Sequence, residues 1–230
     1  MWKRWDRLPE FMQIDEVRPY WESLDRKKKQ IAIKRIADIV LAGGLIVPMS
    51  VPMAIISLLI KMDSDGPVFF RQERVTAYGK RFRIHKFRTM TADAEESGSS
   101  VTSGSDERIT AIGAVLRKYK LDEIPQVLDV LRGDMSFVGT RPEVVRYVEK
   151  YELEYYATLL MPAGITSDAS IRYMDEDVLL DSSDDVERCY IDKILPEKMR
   201  INLRSLSDFS LAADARTLLA TIQAVVKRDN

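Results

Sequence analysis

The sequence is poor in two residue types that carry much enzyme chemistry, because its 230 residues include one cysteine, Cys189, and one histidine, His85. A single cysteine excludes an internal disulfide and fits a reducing compartment, and we interpret it as a packed residue rather than a nucleophile. A single histidine excludes multi-histidine metal sites and argues against a Ser/His/Asp triad. Any catalysis therefore rests mainly on carboxylates, lysines and arginines.

Net charge is also almost absent, since 35 Lys and Arg stand against 36 Asp and Glu, for a net charge of −1. Such a chain has no overall field that attracts a polyanion, so we expect no nucleic-acid partner. The length suits one domain plus an anchor. We predict a mixed-charge amphipathic segment at residues 1–30, a membrane element at 31–61 and one larger domain at 62–230.

What the chain does have is a long apolar run without charge, at residues 39–60. A straight helix of about 22 residues is about 33 Å long, enough to cross a bilayer. Pro48 and Pro52 lie inside the run, and each interior proline costs a helix roughly 3 kcal/mol or more. The Ser50 hydroxyl between them is expected to serve a backbone group that a proline frees. We therefore predict a break in the membrane helix at Pro48, Ser50 and Pro52.

Three arrangements compete for this run: a one-pass anchor, a buried core helix, and a helix that enters the membrane, breaks and returns to the same face. Buried core helices are usually shorter, whereas kinked one-pass spans are tolerated. Basic residues prefer the cytoplasmic side, and both flanks are basic, which favours the re-entrant helix. The flanking residues are Lys27, Lys28, Lys29, Lys34 and Arg35 before the run, and Lys61, Arg71, Arg74, Lys80, Arg81 and Arg83 after it.

The two ends of the chain are both amphipathic. All three tryptophans, Trp2, Trp5 and Trp21, lie in the first segment, where they suit a bilayer interface or, equally, packing on the domain or a partner. A final amphipathic helix at residues 211–226 rests on the membrane or on the core. Between the ends, the pattern predicts helices near 109–120 and 143–160, a mobile Ser/Gly-rich loop at 95–107 and a solvated acidic surface at 175–187.

Two strands, at residues 68–75 and 80–88, are predicted to pair around Ala77-Tyr78-Gly79. Alternation places on one face Phe82, Ile84 and Lys86, and on the other Arg81, Arg83, His85 and Phe87. The cations form either a solvated strand face or a surface for phosphates, and alternation alone favours neither.

Two adjacent carboxylates, Asp122 and Glu123, come just before Pro125. Pro125 suits the first turn of a helix, which puts Asp122 at or near its N-cap. Plain capping explains both acids, since Asp is a favoured cap and Glu fits the first turn, and the spacing alone favours capping. The chemical alternative is that an ionised Asp attacks phosphorus while its neighbour holds Mg²⁺.

A second cluster contains Gly139 and Arg141. Gly139 permits close backbone approach. Arg141 offers a planar fork for a phosphate or a base. The alternative for Arg141 is a salt bridge on a turn, with Glu143.

Together these stretches resemble the bacterial sugar transferases, the monotopic phosphoglycosyl transferases. The resemblance runs from about residue 34 to residue 161, and more weakly to the C-terminus. Several ordered motifs of this length are specific, and they outweigh the capping and one-pass interpretations. The motifs are Lys34-Arg35-Ile36-Ala37-Asp38, Gly66-Pro67-Val68-Phe69-Phe70-Arg71-Gln72-Glu73-Arg74, Lys86-Phe87-Arg88-Thr89-Met90, Leu121-Asp122-Glu123-Ile124-Pro125-Gln126 and Gly133-Asp134-Met135-Ser136-Phe137-Val138-Gly139.

The resemblance implies a mainly α fold with a small β-hairpin, in which a re-entrant membrane helix carries a cytoplasmic catalytic domain with interfacial amphipathic helices. It implies an enzyme at the inner membrane that transfers a sugar 1-phosphate from a UDP-sugar to undecaprenyl phosphate and releases UMP. This reaction is the first membrane step of surface glycan synthesis, such as that of an exopolysaccharide. The implied partners are the two substrates and the bilayer, and self-association as a homo-oligomer stays open.

The resemblance also implies roles for particular residues. Asp122 matches the covalent nucleophile, and Glu123 matches its metal-linked or general-base partner, so both are expected to hold Mg²⁺. The residues expected to bind substrate are Arg117, Arg141, Lys86 and Arg88.

Three stretches depart from the family pattern. A Ser-Pro break appears as Ser50-Val51-Pro52, Gly-Pro-Arg-Pro appears as Gly139-Thr140-Arg141-Pro142, and Pro-Gly-Ile-Thr-Gly-Trp-Ala-Gln corresponds to a different sequence at residues 162–170. The last stretch is associated with sugar selection in the family, so no sugar is predicted. The rival interpretation is a non-catalytic membrane-anchored scaffold of a glycan assembly complex, against which the retained Asp122, Glu123 and Arg141 argue.

Overall fold

The computed structural model describes residues 2–91, 106–181 and 185–227, and this part of the chain is mainly helical with three small two-stranded sheets. The loop predicted at 95–107 lies mostly outside the described residues. The α-helices are α1 (Arg18–Arg26), α2 (Lys28–Asp63), α3 (Ala111–Lys118), α4 (Val127–Arg132), α5 (Val145–Val148), α6 (Asp168–Arg172), α7 (Glu176–Asp181), α8 (Val186–Cys189), α9 (Leu195–Ser207) and α10 (Leu211–Lys227). The strands are β1 (Phe69–Phe70), β2 (Glu73–Val75), β3 (Arg81–Arg83), β4 (Lys86–Phe87), β5 (Met135–Val138) and β6 (Ala163–Thr166).

Helix α2 contains the predicted apolar run and extends beyond it at both ends, and it is long and apolar enough to cross a membrane. The helix is continuous through Pro48 and Pro52. Ser50 donates from its hydroxyl to the carbonyl of Val47 at 2.6 Å. The expectation that Ser50 serves a carbonyl freed by a proline is therefore wrong, because the helical partner of Val47 is the amide of residue 51, which is not a proline. The break at these three residues stays a prediction.

Both ends of α2 pack on the same domain. Near its start, Arg35 donates to the carbonyls of Val130 and Leu131 in the last turn of α4, at 2.6 and 3.0 Å, which suits the negative end of that helix dipole. Near its end, Ile60 is buried in a cluster with Phe87 and Leu116. The helix is therefore tied to the domain on either side of its apolar centre.

The predicted hairpin is confirmed, since β1 pairs with β4 and β2 pairs with β3, both antiparallel. The predicted common face of Arg81, Arg83, His85 and Phe87 is not found, because the two arginines are exposed whereas His85 and Phe87 are buried. The strand is interrupted at residues 84–85, between β3 and β4, so the alternation does not run through. One Asp129 oxygen accepts the backbone N–H of His85 at 2.8 Å, and the other lies 2.6 Å from ring Nδ1. The contacts of His85 with Asp129 therefore hold the interrupted part of the strand against α4.

The N-terminal segment packs on the domain, which was one of the alternatives predicted for its tryptophans. Trp2 donates from its indole to Asp25 at 2.9 Å, and Trp21 donates to the carbonyl of Lys3 at 3.1 Å. The rings lie against a core cluster that includes Leu203 of α9. The division at residues 30 and 61 stays a prediction.

The C-terminal helix α10 confirms the predicted amphipathic helix and rests partly on the core. Asp214 lies 2.5 Å from the Nζ of Lys34 at the start of α2, and Thr217 donates to Asp168 at 2.7 Å. The opposite face of α10 exposes Leu219, Ile222 and Val226. One face of this helix is therefore left apolar and exposed.

Candidate active site

The two carboxylates lie at a sharp junction between α3 and α4. Asp122 and Glu123 occupy the first turn of a 3₁₀ helix, Leu121–Gln126, which runs directly into α4. Asp122 lies near the N-cap, as predicted, but is not the cap itself, because the capping residue is Lys120, whose backbone is left-handed with φ of 55° and ψ of 23°. A lysine rarely adopts this conformation, and such strain is concentrated at functional sites.

Glu123 is held by two cations from distant parts of the chain. Arg141 donates to Oε1 at 2.5 Å and to Oε2 at 3.2 Å, and the Nζ of Lys86 lies 2.9 Å from Oε1. The bidentate geometry is the strong form of this contact. The alternative pairing of Arg141 with Glu143 is wrong, because Glu143 accepts from the hydroxyl of Tyr190 at 2.7 Å. Two of the four residues predicted to bind substrate, Lys86 and Arg141, thus contact the carboxylate dyad, which consists of Asp122 and Glu123.

Asp122 is less well satisfied than its neighbour. The residue is 7% exposed, and its Oδ2 lies 3.5 Å from the Nζ of Lys86. Its Oδ1 is buried and has no hydrogen-bond partner within the described part of the chain. A buried carboxylate oxygen without a donor costs free energy, so such an atom calls for an explanation. A ligand or a reacting group at this oxygen would supply one.

The two carboxylates have opposite pKa shifts. Burial raises the pKa of Asp122, an effect that Lys86 opposes and the charge of Glu123 reinforces. Burial also acts to raise the pKa of Glu123, but Arg141 and Lys86 outweigh it and hold that pKa well below its usual range. Glu123 is therefore the first of the pair to ionise, and Asp122 loses its proton at higher pH.

The loop that carries Arg141 is fixed by a close approach of two glycines. Gly139 donates its N–H to the carbonyl of Thr166 at 3.0 Å, and Gly164 donates to the carbonyl of Thr140 at 2.9 Å, beside the parallel pair β5 and β6. A Cβ on Gly164 would lie 2.2 Å from the backbone nitrogen of Gly139. Glycine is required for this contact, as predicted for Gly139.

A cavity of 360 Å³ lies between the domain and α2, beside the dyad. The apolar part of the cavity wall includes Leu45 and Met49 of α2 and Val225 of α10. The charged part of the wall includes Glu123 and Arg141. A site lined mainly by apolar side chains with a few convergent polar groups is typical of a ligand pocket. This cavity suits a ligand that is part apolar and part anionic.

The other two predicted substrate-binding residues lie elsewhere. Arg88 is buried and donates to the carbonyls of Ser64 and Asp65 at 2.6 and 2.7 Å, so its guanidinium fastens the backbone that follows α2. Arg117 lies in the last turn of α3, three residues before Lys120. Among the described residues, neither arginine lines the cavity. Their roles toward substrate stay predictions.

Sequence reasoning missed a second charged pair in the cavity wall. Glu176 lies in the acidic segment predicted to be a solvated surface, but its Oε2 accepts from the Nζ of Lys198 at 2.9 Å, and both residues line the cavity. The prediction is therefore wrong at Glu176. A signal was present, because Lys198 occupies an inward position of α9, in the series that continues with Met199 and Asn202.

The donor set for a metal is small. The described residues include no group of three or more His, Cys, Asp or Glu that could hold an ion. Mg²⁺ commonly binds through one or two carboxylates and completes its shell with water and substrate phosphates. The dyad fits this requirement through Asp122 Oδ1, whereas both oxygens of Glu123 already accept from cations.

Comparison with known proteins gives a family match that includes all residues of the site. A family model described as bacterial sugar transferase matches residues 29–228, which include the dyad and every residue that lines the cavity.

Curated relatives agree with this match. A UDP-N-acetylgalactosamine-undecaprenyl-phosphate N-acetylgalactosaminephosphotransferase from Aeromonas hydrophila is 42% identical over 123 residues, which are 53% of this chain and 29% of the relative. A UDP-glucose:undecaprenyl-phosphate glucose-1-phosphate transferase from Caulobacter vibrioides is 32% identical over 201 residues, 86% of this chain and 71% of the relative. The exopolysaccharide production protein PSS from Rhizobium leguminosarum bv. phaseoli is 32% identical over 207 residues, 86% of this chain and 97% of the relative. The first two names differ in the sugar, so similarity selects none.

Proposed function

Because the chain belongs to the bacterial sugar transferase family, we propose that it transfers a sugar 1-phosphate from a UDP-sugar to undecaprenyl phosphate and releases UMP. The observation that carries this proposal is the shared cavity, in which Glu123 and Arg141 face side chains of the apolar helix α2. The phosphate head of a polyprenyl phosphate requires charged side chains, and its tail requires apolar ones, and this cavity has both.

The proposed reaction has two steps at one phosphorus. An ionised oxygen of Asp122 attacks the β-phosphorus of the UDP-sugar, and the bond to the bridging oxygen breaks, so UMP leaves with the electron pair. The sugar phosphate stays on Asp122 as a mixed anhydride. A phosphate oxygen of undecaprenyl phosphate then attacks the same phosphorus and frees Asp122. A two-step route lets a soluble donor and a lipid acceptor use one cavity in turn.

The charged neighbours have distinct tasks in this proposal. Arg141 and Lys86 contact the dyad within 3.5 Å and offset the charge that develops on the phosphoryl oxygens. Glu123 holds both cations in place. We further propose that Asp122 would hold Mg²⁺ through Oδ1, and that the ion would neutralise diphosphate charge. The prediction that Glu123 also binds the ion does not fit, because both of its oxygens already accept from cations.

We also propose that α2 is re-entrant at the inner membrane, with the domain in the cytoplasm. A straight helix from Arg35 to Ile60 would span about 38 Å, yet both residues contact the same domain. Val47 and Val51, between them, are 72% and 65% exposed. An exposed apolar centre held at both ends by one domain supports entry into, and return from, one face of the bilayer.

This topology predicts which sites an outside reagent reaches. In a Cys189→Ser background, Asp15→Cys before α2 and Arg81→Cys after it place single thiols at exposed positions. In intact spheroplasts, a membrane-impermeant maleimide should label neither variant, and it should label both after lysis. Labelling of either one before lysis would mean that α2 crosses the membrane once or that the domain faces outward.

The pKa of Asp122 predicts an acid limit on activity. Asp122 attacks only when ionised, and burial raises its pKa, so kcat/KM should fall as pH decreases through a midpoint above the ordinary value of about 3.9. Lys86 lowers that pKa, so Lys86→Met should move the midpoint to higher pH. The measurement is the pH dependence of UMP release, with thermal unfolding at each pH as the control. A midpoint that stays fixed in Lys86→Met would contradict this assignment.

The proposal as a whole is tested by UMP release from a panel of UDP-sugars, with purified full-length protein and undecaprenyl phosphate. Turnover with at least one donor is the expected result. No turnover with any donor would favour the scaffold.

A further inference from the structure

A second pair of charged side chains faces the cavity, apart from the dyad. Lys198 of α9 donates from Nζ to Oε2 of Glu176 at 2.9 Å and to the hydroxyl of Tyr190 at 3.3 Å. Glu176 and Lys198 line the same cavity as Glu123 and Arg141. The reaction steps described above leave this pair without a task.

The pair is built into the domain and is not a surface ion pair. Lys198 is 4% exposed, and its Nζ also lies 4.0 Å from Oε1 of Glu143, which itself accepts from Tyr190 at 2.7 Å. A lysine is almost never buried to this degree unless it is paired. The contacts with Tyr190 and Glu143 hold the ammonium, and the ammonium holds Glu176. A polar group fixed in this way is preorganised for recognition.

The chemistry of the pair suits hydroxyl groups better than phosphate. The Lys198 ammonium lies within 4.0 Å of two carboxylates, Glu176 and Glu143, so this group has no positive charge left over for a phosphate. A sugar hydroxyl both donates and accepts, so a carboxylate beside an ammonium can satisfy it in both directions.

The neighbouring wall also suits a sugar. Tyr173 and Ser170 line the cavity together with Glu176. An aromatic side chain offers an apolar face, and a serine hydroxyl donates or accepts as needed. A pyranose ring presents the matching surfaces, with apolar C–H groups on its faces and hydroxyls around its edge.

We propose that Glu176 and Lys198 bind the hydroxyl or acetamido groups of the donor's sugar and thereby determine which UDP-sugar is used. This inference rests on the proposed function, because it requires a UDP-sugar as donor. Glu176 uses Oε2 for Lys198, and we assign Oε1 to the sugar. Both residues are specificity-determining, with no part in the transfer of the phosphoryl group.

The test compares wild type with Glu176→Gln across UDP-glucose, UDP-galactose, UDP-N-acetylglucosamine and UDP-N-acetylgalactosamine. The substitution keeps the size of the side chain and an oxygen for Lys198. We expect kcat/KM for the preferred donor to fall by about 10- to 100-fold, the value of a hydrogen bond to a charged group. The ratio between the preferred donor and its epimer should move toward one. A deoxy donor that lacks the recognised hydroxyl should lose little in the variant.

A control variant, the affinities for ligands without the sugar, and the melting temperatures separate this role from others. Glu197→Gln removes a carboxylate next to Lys198 on α9 that pairs with Arg200, and it should leave discrimination unchanged. UMP lacks the sugar, so its inhibition constant, like the KM for undecaprenyl phosphate, should be the same in wild type and Glu176→Gln. Equal melting temperatures exclude a general loss of folding.

The outcomes distinguish a failure of the sugar-binding role from a failure of the proposed transferase function. If wild type turns over and Glu176→Gln keeps the same donor ratios, the sugar-binding role is overturned and the proposed function stands. If the inhibition constant of UMP rises as much as the KM of the donor, the pair acts on the nucleotide or the phosphates, and the role is again overturned. If wild type uses no donor, the proposed function fails and this inference fails with it.

Discussion

Replacing Asp122 by asparagine is expected to lower UMP release by at least about 10³-fold. An amide cannot form the mixed anhydride, so the loss falls on the chemical step. The substitution keeps the shape of a side chain whose Oδ2 lies 3.5 Å from the Nζ of Lys86 and whose Oδ1 has no hydrogen-bond partner in the described part of the chain. We therefore expect the folded structure to persist, as circular dichroism and thermal unfolding would check, while steady-state UMP release measures the loss.

The same variant distinguishes covalent from direct transfer. With UDP-sugar labelled in the sugar and no lipid acceptor, wild type should release up to one UMP per protein and keep label after denaturation. Asp122→Asn should do neither. The matched control is Asp134→Asn, which alters a carboxylate that lies 2.5 Å from Lys80 on the hairpin, and it should behave as wild type. Turnover by wild type without a burst and without an adduct would contradict the nucleophile.

The dyad could be found from sequence, but its geometry could not. The order of motifs around Asp122 and Glu123 is a local property of the chain, and the family match confirms the class of enzyme that it predicts. The contacts of Glu123 join residues 18 and 37 positions away, and no local pattern specifies such pairs. The left-handed Lys120 was equally hidden, because glycine is the usual residue there.

In the hairpin, strand alternation predicts the pairing of the strands but not the burial of His85. Its pairing was predictable from apolar alternation and from Gly79, which has positive φ. The burial of His85 was not, because Asp129 accepts its backbone N–H and so interrupts the strand. Tertiary contacts of this kind override strand periodicity.

The charge of a residue does not reveal whether its side chain lies in solvent, in the core or in the cavity. Arg88 matches a family motif, yet it fastens the backbone after α2. Glu176 lies in an acidic segment typical of a solvated surface, yet it faces the cavity. Such placements depend on where elements distant in sequence meet. Lys198 is the exception, since a lysine among the inward positions of an amphipathic helix already indicates a buried partner.

Replacing Arg141 by alanine is expected to lower kcat/KM by about 10²- to 10³-fold, the usual cost of one donor at a developing phosphoryl charge. The substitution removes the fork that contacts both oxygens of Glu123. Arg141→Lys restores charge without the planar fork and should recover only part of the activity. Arg83→Ala, at an exposed hairpin position, is the matched control and should behave as wild type. Steady-state kinetics with UDP-sugar varied measures all three.

A double-mutant cycle then shows whether Arg141 and Glu123 act as a unit. Both oxygens of Glu123 accept from Arg141, and Lys86 alone remains when the arginine is removed. Glu123→Gln should therefore cost little more in an Arg141→Ala background, because the geometry that Glu123 maintains is already lost. Losses that add fully would mean that the two side chains act on the substrate independently, and the ion pair would then be a folding contact only. Because a buried carboxylate that loses its partner destabilises the fold, the cycle is interpretable only when thermal unfolding shows each variant folded at the assay temperature.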